Sequence, residues 1–71
     1  MVKVTRQSKK IGAKIREIRE DKGYTQEGLA HKANLNRAYI GYIERGERNP
    51  STETISKIAK ALKVPVHKLF Q

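Results

Sequence analysis

The chain has 71 residues, which suffice for one small hydrophobic core but exclude several domains. It contains no cysteine, which excludes disulfides and thiolate metal sites and points to a reducing compartment. Sixteen Lys and Arg against seven Asp and Glu give a net charge of +9, so the partner is expected to be anionic: nucleic acid, a membrane surface or an acidic protein. Nucleic acid is the commonest target of a small basic domain, because neutralising phosphates releases condensed counterions.

Residues 1–8 carry basic but no acidic side chains and show no apolar period. We expect them to form a flexible basic arm, while residues 9–71 form the single folded domain. Such an arm is either plainly disordered or follows a DNA groove, as homeodomain arms do.

The first helix is predicted over residues 9–22. Ile11, Ile15 and Ile18 recur at the spacing that lines one face of a helix. Gly23 follows, and glycine commonly ends a helix because it adopts a positive φ without strain. The first helix is therefore expected to bury an isoleucine face.

A second, short helix is predicted over residues 26–33, and Thr25 can cap its start. Asn34 tolerates the left-handed conformation that a tight turn needs, Leu35 can point inward, and Asn36 can cap the next helix. A three-residue turn therefore separates helix 2 from helix 3.

The remaining chain is predicted to form three more helices. Helix 3 runs over residues 37–45, and Gly46 ends it. Helix 4 begins after Ser51, a capping residue, and ends near Lys63; its aliphatic side chains recur at helical spacing. A short fifth helix is expected over residues 66–70, after a proline that is tolerated in a first helical turn. The predicted fold class is all-α.

Residues 25–46, TQEGLAHKANLNRAYIGYIERG, form a helix, a short turn and a second helix, the arrangement that places one helix in a DNA major groove. This motif and its flanks resemble the phage repressor and Cro family of XRE-type regulators. The residues that carry the resemblance are Arg19, Gly23, Thr25, Gln26, Glu27, Leu29, Ala30, Tyr39, Ile40, Ile43, Glu44, Arg45, Gly46, Arg48, Asn49, Pro50 and Ser51. Within that family, NRAYIGYIERGERN is also similar to controller proteins of restriction-modification systems. The resemblance implies a five-helix, lambda-repressor-like domain, with helix 3 as the recognition helix and helix 5 near a dimer interface.

The exposed side of helix 3 carries the predicted base contacts. Ala38 and Gly41 make it slim enough for a major groove about 12 Å wide. Arg37, in the first turn, can donate two hydrogen bonds to guanine O6 and N7. Ala38 can touch a thymine methyl group, and Asn36 and Tyr42 can each contact a base edge or a phosphate. The alternative is that Arg37 is a solvated surface residue and Tyr42 a packing residue.

A second set of residues is expected to contact the sugar-phosphate backbone. These residues are Thr25, Gln26, Tyr39, Arg45, Arg48 and Asn49. The resemblance implies that Gln26 grips the backbone and supports the first side chain of the recognition helix, at a helix N-terminus whose amides add positive potential. Arg45, Arg48 and Asn49 follow helix 3, where the chain passes beside the phosphate strand. For each of these three, the alternative is a solvated loop residue.

Two further groups have expected structural roles. The resemblance implies that Arg19 and Glu44 form a partly buried salt bridge between helix 1 and the recognition helix. Val64, Val66 and Phe70, towards the end of the chain, are expected at a homodimer interface. The homodimer is then expected to bind a palindromic operator in double-stranded DNA, with half-sites about 34–36 Å apart.

Other functional classes are disfavoured. His31 and His67 lie on separate predicted helices without partners for a catalytic or metal site, so neither an enzyme nor a cofactor is expected. No apolar run approaches the roughly 20 residues that span a bilayer, so we expect a cytoplasmic, nucleoid-associated protein. Two alternatives stay open: an antitoxin-like regulator that chiefly binds a partner protein, and a nonspecific binder of nucleic acid or anionic membrane.

Overall fold

The computed structural model describes residues 5–71, and all regular structure in that range is helical. The α-helices are α1 (Arg6–Asp21), α2 (Gln26–Ala33), α3 (Arg37–Glu44) and α4 (Thr52–Leu62), followed by a 3₁₀ helix over Val66–Phe70. The predicted all-α fold class is confirmed. No helix in the described range is long and apolar enough to cross a membrane.

The prediction of five α-helices is wrong, because the described residues form four and the last segment is a 3₁₀ helix. Pro65 precedes this segment in an extended conformation, with ψ of 151°. The Lys68 amide then donates to the Pro65 carbonyl at 3.0 Å, a bond three residues back along the chain. A five-residue segment contains too few residues for a stable run of α-helical bonds, so the tighter turn is favoured.

The start of α1 corrects the predicted arm. Helix α1 begins at Arg6, three residues before the predicted start. The Thr5 hydroxyl accepts a hydrogen bond from the Ser8 amide, and the Ser8 hydroxyl accepts one from the Thr5 amide, both at 3.2 Å. This reciprocal capping fixes residues 5–8, and Ser8 is fully buried. The remainder of the predicted arm, residues 1–4, lies outside the described residues.

The other helix starts follow the predicted caps. The Thr25 hydroxyl accepts from the Gly28 amide at 2.9 Å, and the Asn36 side chain accepts from the Ala38 amide at 2.7 Å. Ser51 caps α4 by accepting from Thr54 at 3.1 Å. Each cap satisfies a helix-end amide and contributes about 1 kcal/mol. Because these bonds join neighbours in the chain, local sequence alone was enough to locate the three helix starts.

The core is built from aliphatic side chains on all the helices. The fully buried large side chains are Ile15, Leu29, Ile40, Ile43, Ile58, Leu62 and Leu69. Burying each such side chain contributes roughly 1.5–3 kcal/mol. Helix α3 packs against both α1 and α2 through Ile40 and Ile43, so the opposite side of α3 is held at the surface.

Gly12 brings α1 against the end of α3. A side-chain carbon at this position would overlap the carbonyl oxygen of Ile43 and lie 3.0 Å from that of Glu44. Only glycine permits this approach. The closeness of α1 to α3 was not predicted from the helical pattern, because it depends on two segments about thirty residues apart in sequence.

Candidate nucleic-acid interface

Helices α2 and α3 form a compact helix-turn-helix. Asn34 adopts the left-handed conformation, with φ of 57°, and the Leu35 amide donates to the Ala30 carbonyl at 2.8 Å. Leu35 is half-buried and packs against the core. The turn therefore closes as predicted and directs α3 across α2, with the N-terminal residues of α3 exposed.

The predicted base contacts gather around one shallow surface depression of about 440 Å³. Its lining residues are Gln26, Asn36, Arg37, Ala38, Gly41, Tyr42 and Arg45. Asn36, Arg37 and Ala38 are exposed, and the side chain of Asn36 already accepts the capping hydrogen bond, which leaves its amide group to donate elsewhere. The depression thus combines two cations and amide donors with a small apolar surface.

Gly41 was expected on the exposed side of helix 3, but it is buried in the structure. A side-chain carbon at Gly41 would lie 3.1 Å from Nη1 of Arg45 and 3.7 Å from Oε1 of Gln26. The guanidinium of Arg45 therefore extends back along α3 and covers the glycine. In this conformation Gly41 makes room for an arginine of the same chain.

Arg45 is held in that place by two neighbours. Its Nε and Nη2 donate to the two carboxylate oxygens of Glu47, at 3.1 and 3.2 Å. Its guanidinium carbon lies 5.3 Å from the centre of the Tyr42 ring, and that of Arg48 lies 5.2 Å from the same ring. The hydrogen bond to Glu47 raises the pKa of Arg45 above its ordinary value. Glu47 was not among the site residues predicted from the sequence, although an acidic residue between two predicted phosphate-binding arginines was a visible clue.

Arg19 and Glu44 form a second two-point pair, which lies in the interior. Arg19 Nε and Nη2 donate to the carboxylate of Glu44 at 2.7 and 3.1 Å, and Arg19 Nη1 donates to the carbonyl of Tyr24 at 2.7 Å. The hydrogen bond to Glu44 raises the pKa of Arg19, and partial burial opposes that rise. The pair connects the end of α1 to the end of α3.

Gln26 extends this interior pair to the surface. Its amide nitrogen donates to Oε1 of Glu44 at 3.0 Å, while its Oε1 faces Gly41. Gln26 is half-buried at the first position of α2. One side chain thus links the buried salt bridge to the depression that contains Arg37 and Arg45.

The other expected backbone contacts lie around this depression. Arg48 is exposed, whereas Asn49 and Tyr39 are half-buried, and Tyr39 packs against the core. The hydroxyl of Thr25 accepts the capping bond, which leaves its proton available to a phosphate. Of the predicted backbone-contacting residues, Gln26 and Arg45 line the depression itself.

The residues expected at a dimer interface lie at or near the 3₁₀ helix. Val66 and Phe70 are large apolar side chains with 40% and 49% of their surface exposed. Val64 is half-buried against the core. No group of three acidic, histidine or cysteine side chains in residues 5–71 is arranged to hold a metal ion.

Comparison with known proteins settles the family. Residues 15–69 match the helix-turn-helix family, which is more than half of the chain. The chain belongs to the helix-turn-helix family. This membership confirms the resemblance seen in the motif and its flanks, and it applies to the domain described here.

Individual relatives of this helix-turn-helix chain include repressors and controller proteins. The immunity repressor of Bacillus phage phi105 is 45% identical over 56 residues, which cover 79% of the chain and 39% of the repressor. Control protein C.BamHI of Bacillus amyloliquefaciens is 52% identical over 55 residues, covering 76% of the chain and 68% of that protein. The chain thus spans about two fifths of the phage repressor.

A solved structure has the same fold. The restriction-modification controller protein C.AhdI from Aeromonas hydrophila superposes with a TM-score of 0.87 at 44% identity, covering 89% of this chain and 96% of that one. The similarity to controller proteins expected from the recognition segment is confirmed. The helix-turn-helix domain is of the DNA-binding type found in transcriptional regulators.

Proposed function

We propose that the protein is a sequence-specific transcriptional regulator that binds an inverted-repeat operator in double-stranded DNA as a homodimer, with α3 in the major groove. The observation that carries this proposal is the exposed edge of α3, where Arg37 and Ala38 border the same depression as Gln26 and Arg45. A helix with small side chains and a leading arginine fits the width and the hydrogen-bonding pattern of a major groove.

Arg37 is the principal base reader in this proposal. It is the first residue of α3, it is exposed, and it has no carboxylate partner among the described residues. Its guanidinium is therefore free to donate two hydrogen bonds to guanine, while Ala38 touches a thymine methyl group. Asn36 and Tyr42 add contacts at the two ends of the same edge.

Backbone contacts position this edge. Gln26 is the first residue of α2, and the backbone amides of that first turn, which lack partners within the helix, attract a phosphate. Arg45 and Arg48 lie beyond the far end of α3 and bind the phosphate strand, with Thr25, Tyr39 and Asn49 as further contacts. These contacts supply affinity without sequence preference, and the net charge of +9 assists them.

A second copy of the chain completes the proposed binding unit. Val66 and Phe70 are apolar and exposed on one short helix, with Val64 beside them. Covering these side chains with their symmetry equivalents removes apolar surface from water. Two recognition helices then enter successive major grooves about 34–36 Å apart.

Selection of bound duplexes from a random DNA pool tests the proposal. We expect an inverted repeat, bound at least about 10³-fold more tightly than a scrambled duplex at physiological salt. Hydroxyl-radical footprinting of the selected duplex is expected to show two protected patches one helical turn apart. Equal affinity for selected and scrambled duplexes would contradict the proposal, and a stoichiometric protein partner found together with that result would favour the antitoxin-like alternative.

A further inference from the structure

Glu47 is a carboxylate within the cluster of cations at the end of α3. No carboxylate lines the depression bordered by Arg37 and Arg45 among the described residues, yet Glu47 takes two donors of Arg45 just beyond it. We propose that Glu47 is an internal competitor of DNA phosphate for the Arg45 guanidinium, so that it sets how much Arg45 contributes to binding. This inference rests on the proposed function.

The backbone holds Glu47 in place for this role. Gly46 adopts a positive φ of 73°, and its amide donates to the Ile43 carbonyl at 3.0 Å. The Glu47 amide donates to the Tyr42 carbonyl at 2.8 Å. These two bonds form the usual glycine-based helix ending, in which the residue after glycine has a defined position. The backbone of Glu47 is therefore fixed at the end of α3, within reach of Arg45.

The geometry of Arg45 explains why the competition is direct. Its Nε and Nη2 form the edge that suits two oxygens of one anion, and Glu47 occupies that edge. Its remaining nitrogen, Nη1, lies over Gly41, and its flat face lies near the ring of Tyr42. A phosphate that takes two hydrogen bonds along the same edge must displace the carboxylate.

The exposure of the pair makes that displacement feasible. The side chains of Arg45 and Glu47 are 52% and 53% exposed, so water and salt already weaken their attraction. A phosphate on a duplex carries the same charge as the carboxylate and is surrounded by further phosphates, which attract Arg45 and repel Glu47. On binding, the two hydrogen bonds of Arg45 therefore pass from the Glu47 carboxylate to a DNA phosphate, and water solvates the carboxylate.

A double-mutant cycle on full-length protein tests the inference. The variants are Glu47→Gln, Arg45→Gln and the double variant, and the probe is the duplex that the wild-type protein selects, with a scrambled duplex in parallel. Glu47→Gln is expected to tighten binding about fivefold per protomer, the size of one exposed ion pair, and to steepen the dependence of log K on log salt. In the Arg45→Gln background the same change is expected to have little effect.

Two results would overturn the inference. If Glu47→Gln tightens binding equally with and without Arg45, Glu47 acts as an ordinary negative charge near DNA. If Glu47→Gln leaves affinity unchanged, the pair does not compete with phosphate. Glu17→Gln, which removes the same charge from an exposed glutamate that pairs with the half-buried Lys14 on α1, serves as the control and is expected to change binding less.

Nuclear magnetic resonance of the free protein gives a second readout that does not depend on DNA. Exchange of the Arg45 Nε proton with water is expected to be slower in the wild type than in Glu47→Gln, because the carboxylate holds it. Equal exchange in the two proteins would show that the pair is not formed in solution. If the wild-type protein binds no duplex, the proposed function is contradicted. If the wild type binds but the effects of Glu47→Gln and Arg45→Gln are additive, only the role of Glu47 is contradicted.

Discussion

Two arginine–glutamate pairs in this domain make similar two-point contacts in opposite surroundings. The side chains of Arg19 and Glu44 are 9% and 2% exposed, whereas those of Arg45 and Glu47 are about half exposed. Charges removed from water depend on each other strongly, while charges in water can exchange partners. The same kind of contact can therefore stabilise the fold where it is buried and stay open to another anion where it is exposed.

The largest effect is expected from breaking the buried pair. Glu44→Gln keeps the shape of the side chain but removes the buried partner of the Arg19 charge, so that the exposed carboxylate of Glu20, 3.9 Å away, is the acidic group left near it. The free energy of unfolding is expected to fall by about 3–5 kcal/mol, measured by urea denaturation. Any loss of DNA binding is expected to follow the unfolded fraction. A change in the free energy of unfolding below about 1 kcal/mol would show that water solvates Arg19 to the same degree as Arg45.

Gly12→Ala tests the helix packing beside the same pair. The added methyl group would overlap the Ile43 carbonyl, so α1 and α3 must separate. The free energy of unfolding is expected to decrease by about 1–3 kcal/mol. Thermal unfolding of Ala13→Ser, a small change at the exposed neighbouring position, provides the control. Unchanged stability of Gly12→Ala would mean that the helices can shift at no cost.

Arg37→Ala removes an exposed arginine of the recognition helix that has no carboxylate partner among the described residues. Binding to the selected duplex is expected to weaken by about 1–3 kcal/mol per half-site, with preference lost at one base pair. Competition assays with single-base variants of the duplex measure this loss. A uniform loss on every sequence would assign Arg37 to the phosphate backbone.

Arg45→Ala is expected to act differently from Arg37→Ala. It weakens binding to all duplexes alike and reduces the slope of log K against log salt by about 1 per protomer. Titrations at several salt concentrations with selected and scrambled duplexes measure both effects. A loss confined to the selected duplex would make Arg45 a base reader.

The smallest effect is expected from Glu47→Gln on stability. An exposed pair contributes at most about 1 kcal/mol, so urea denaturation is expected to show a change within about 0.5 kcal/mol. A loss similar to that of Glu44→Gln would remove the contrast between the two pairs.

Local order in this protein was predictable from particular residues. The starts of α2, α3 and α4 followed from Thr25, Asn36 and Ser51, because a cap bonds to amides two or three residues away. The start of α1 was missed because its capping box pairs Thr5 with Ser8, where the usual partner is Glu or Gln. The fifth predicted helix is a 3₁₀ helix and not a fifth α-helix, and five residues carry too little periodicity to distinguish the two from sequence.

The candidate site was predictable as a set of residues but not as an arrangement. Sequence placed Arg37, Ala38 and Tyr42 on one edge of a helix, because helical spacing determines which side chains share a face. It did not show that Gln26 joins that edge to a buried carboxylate, or that Arg45 covers Gly41. These contacts depend on how α2 and the end of α3 lie against one another.

The all-α class, the helix-turn-helix and its family were readable from the residues alone, since periodicity, caps and turn residues act over a few neighbouring positions. Tertiary packing was needed to bring Gly12 against the backbone of α3 and to direct the guanidinium of Arg45 over Gly41 and onto Glu47. Burial arises only in the packed molecule, and burial determines whether an ion pair stabilises the fold or stays open to exchange with another anion.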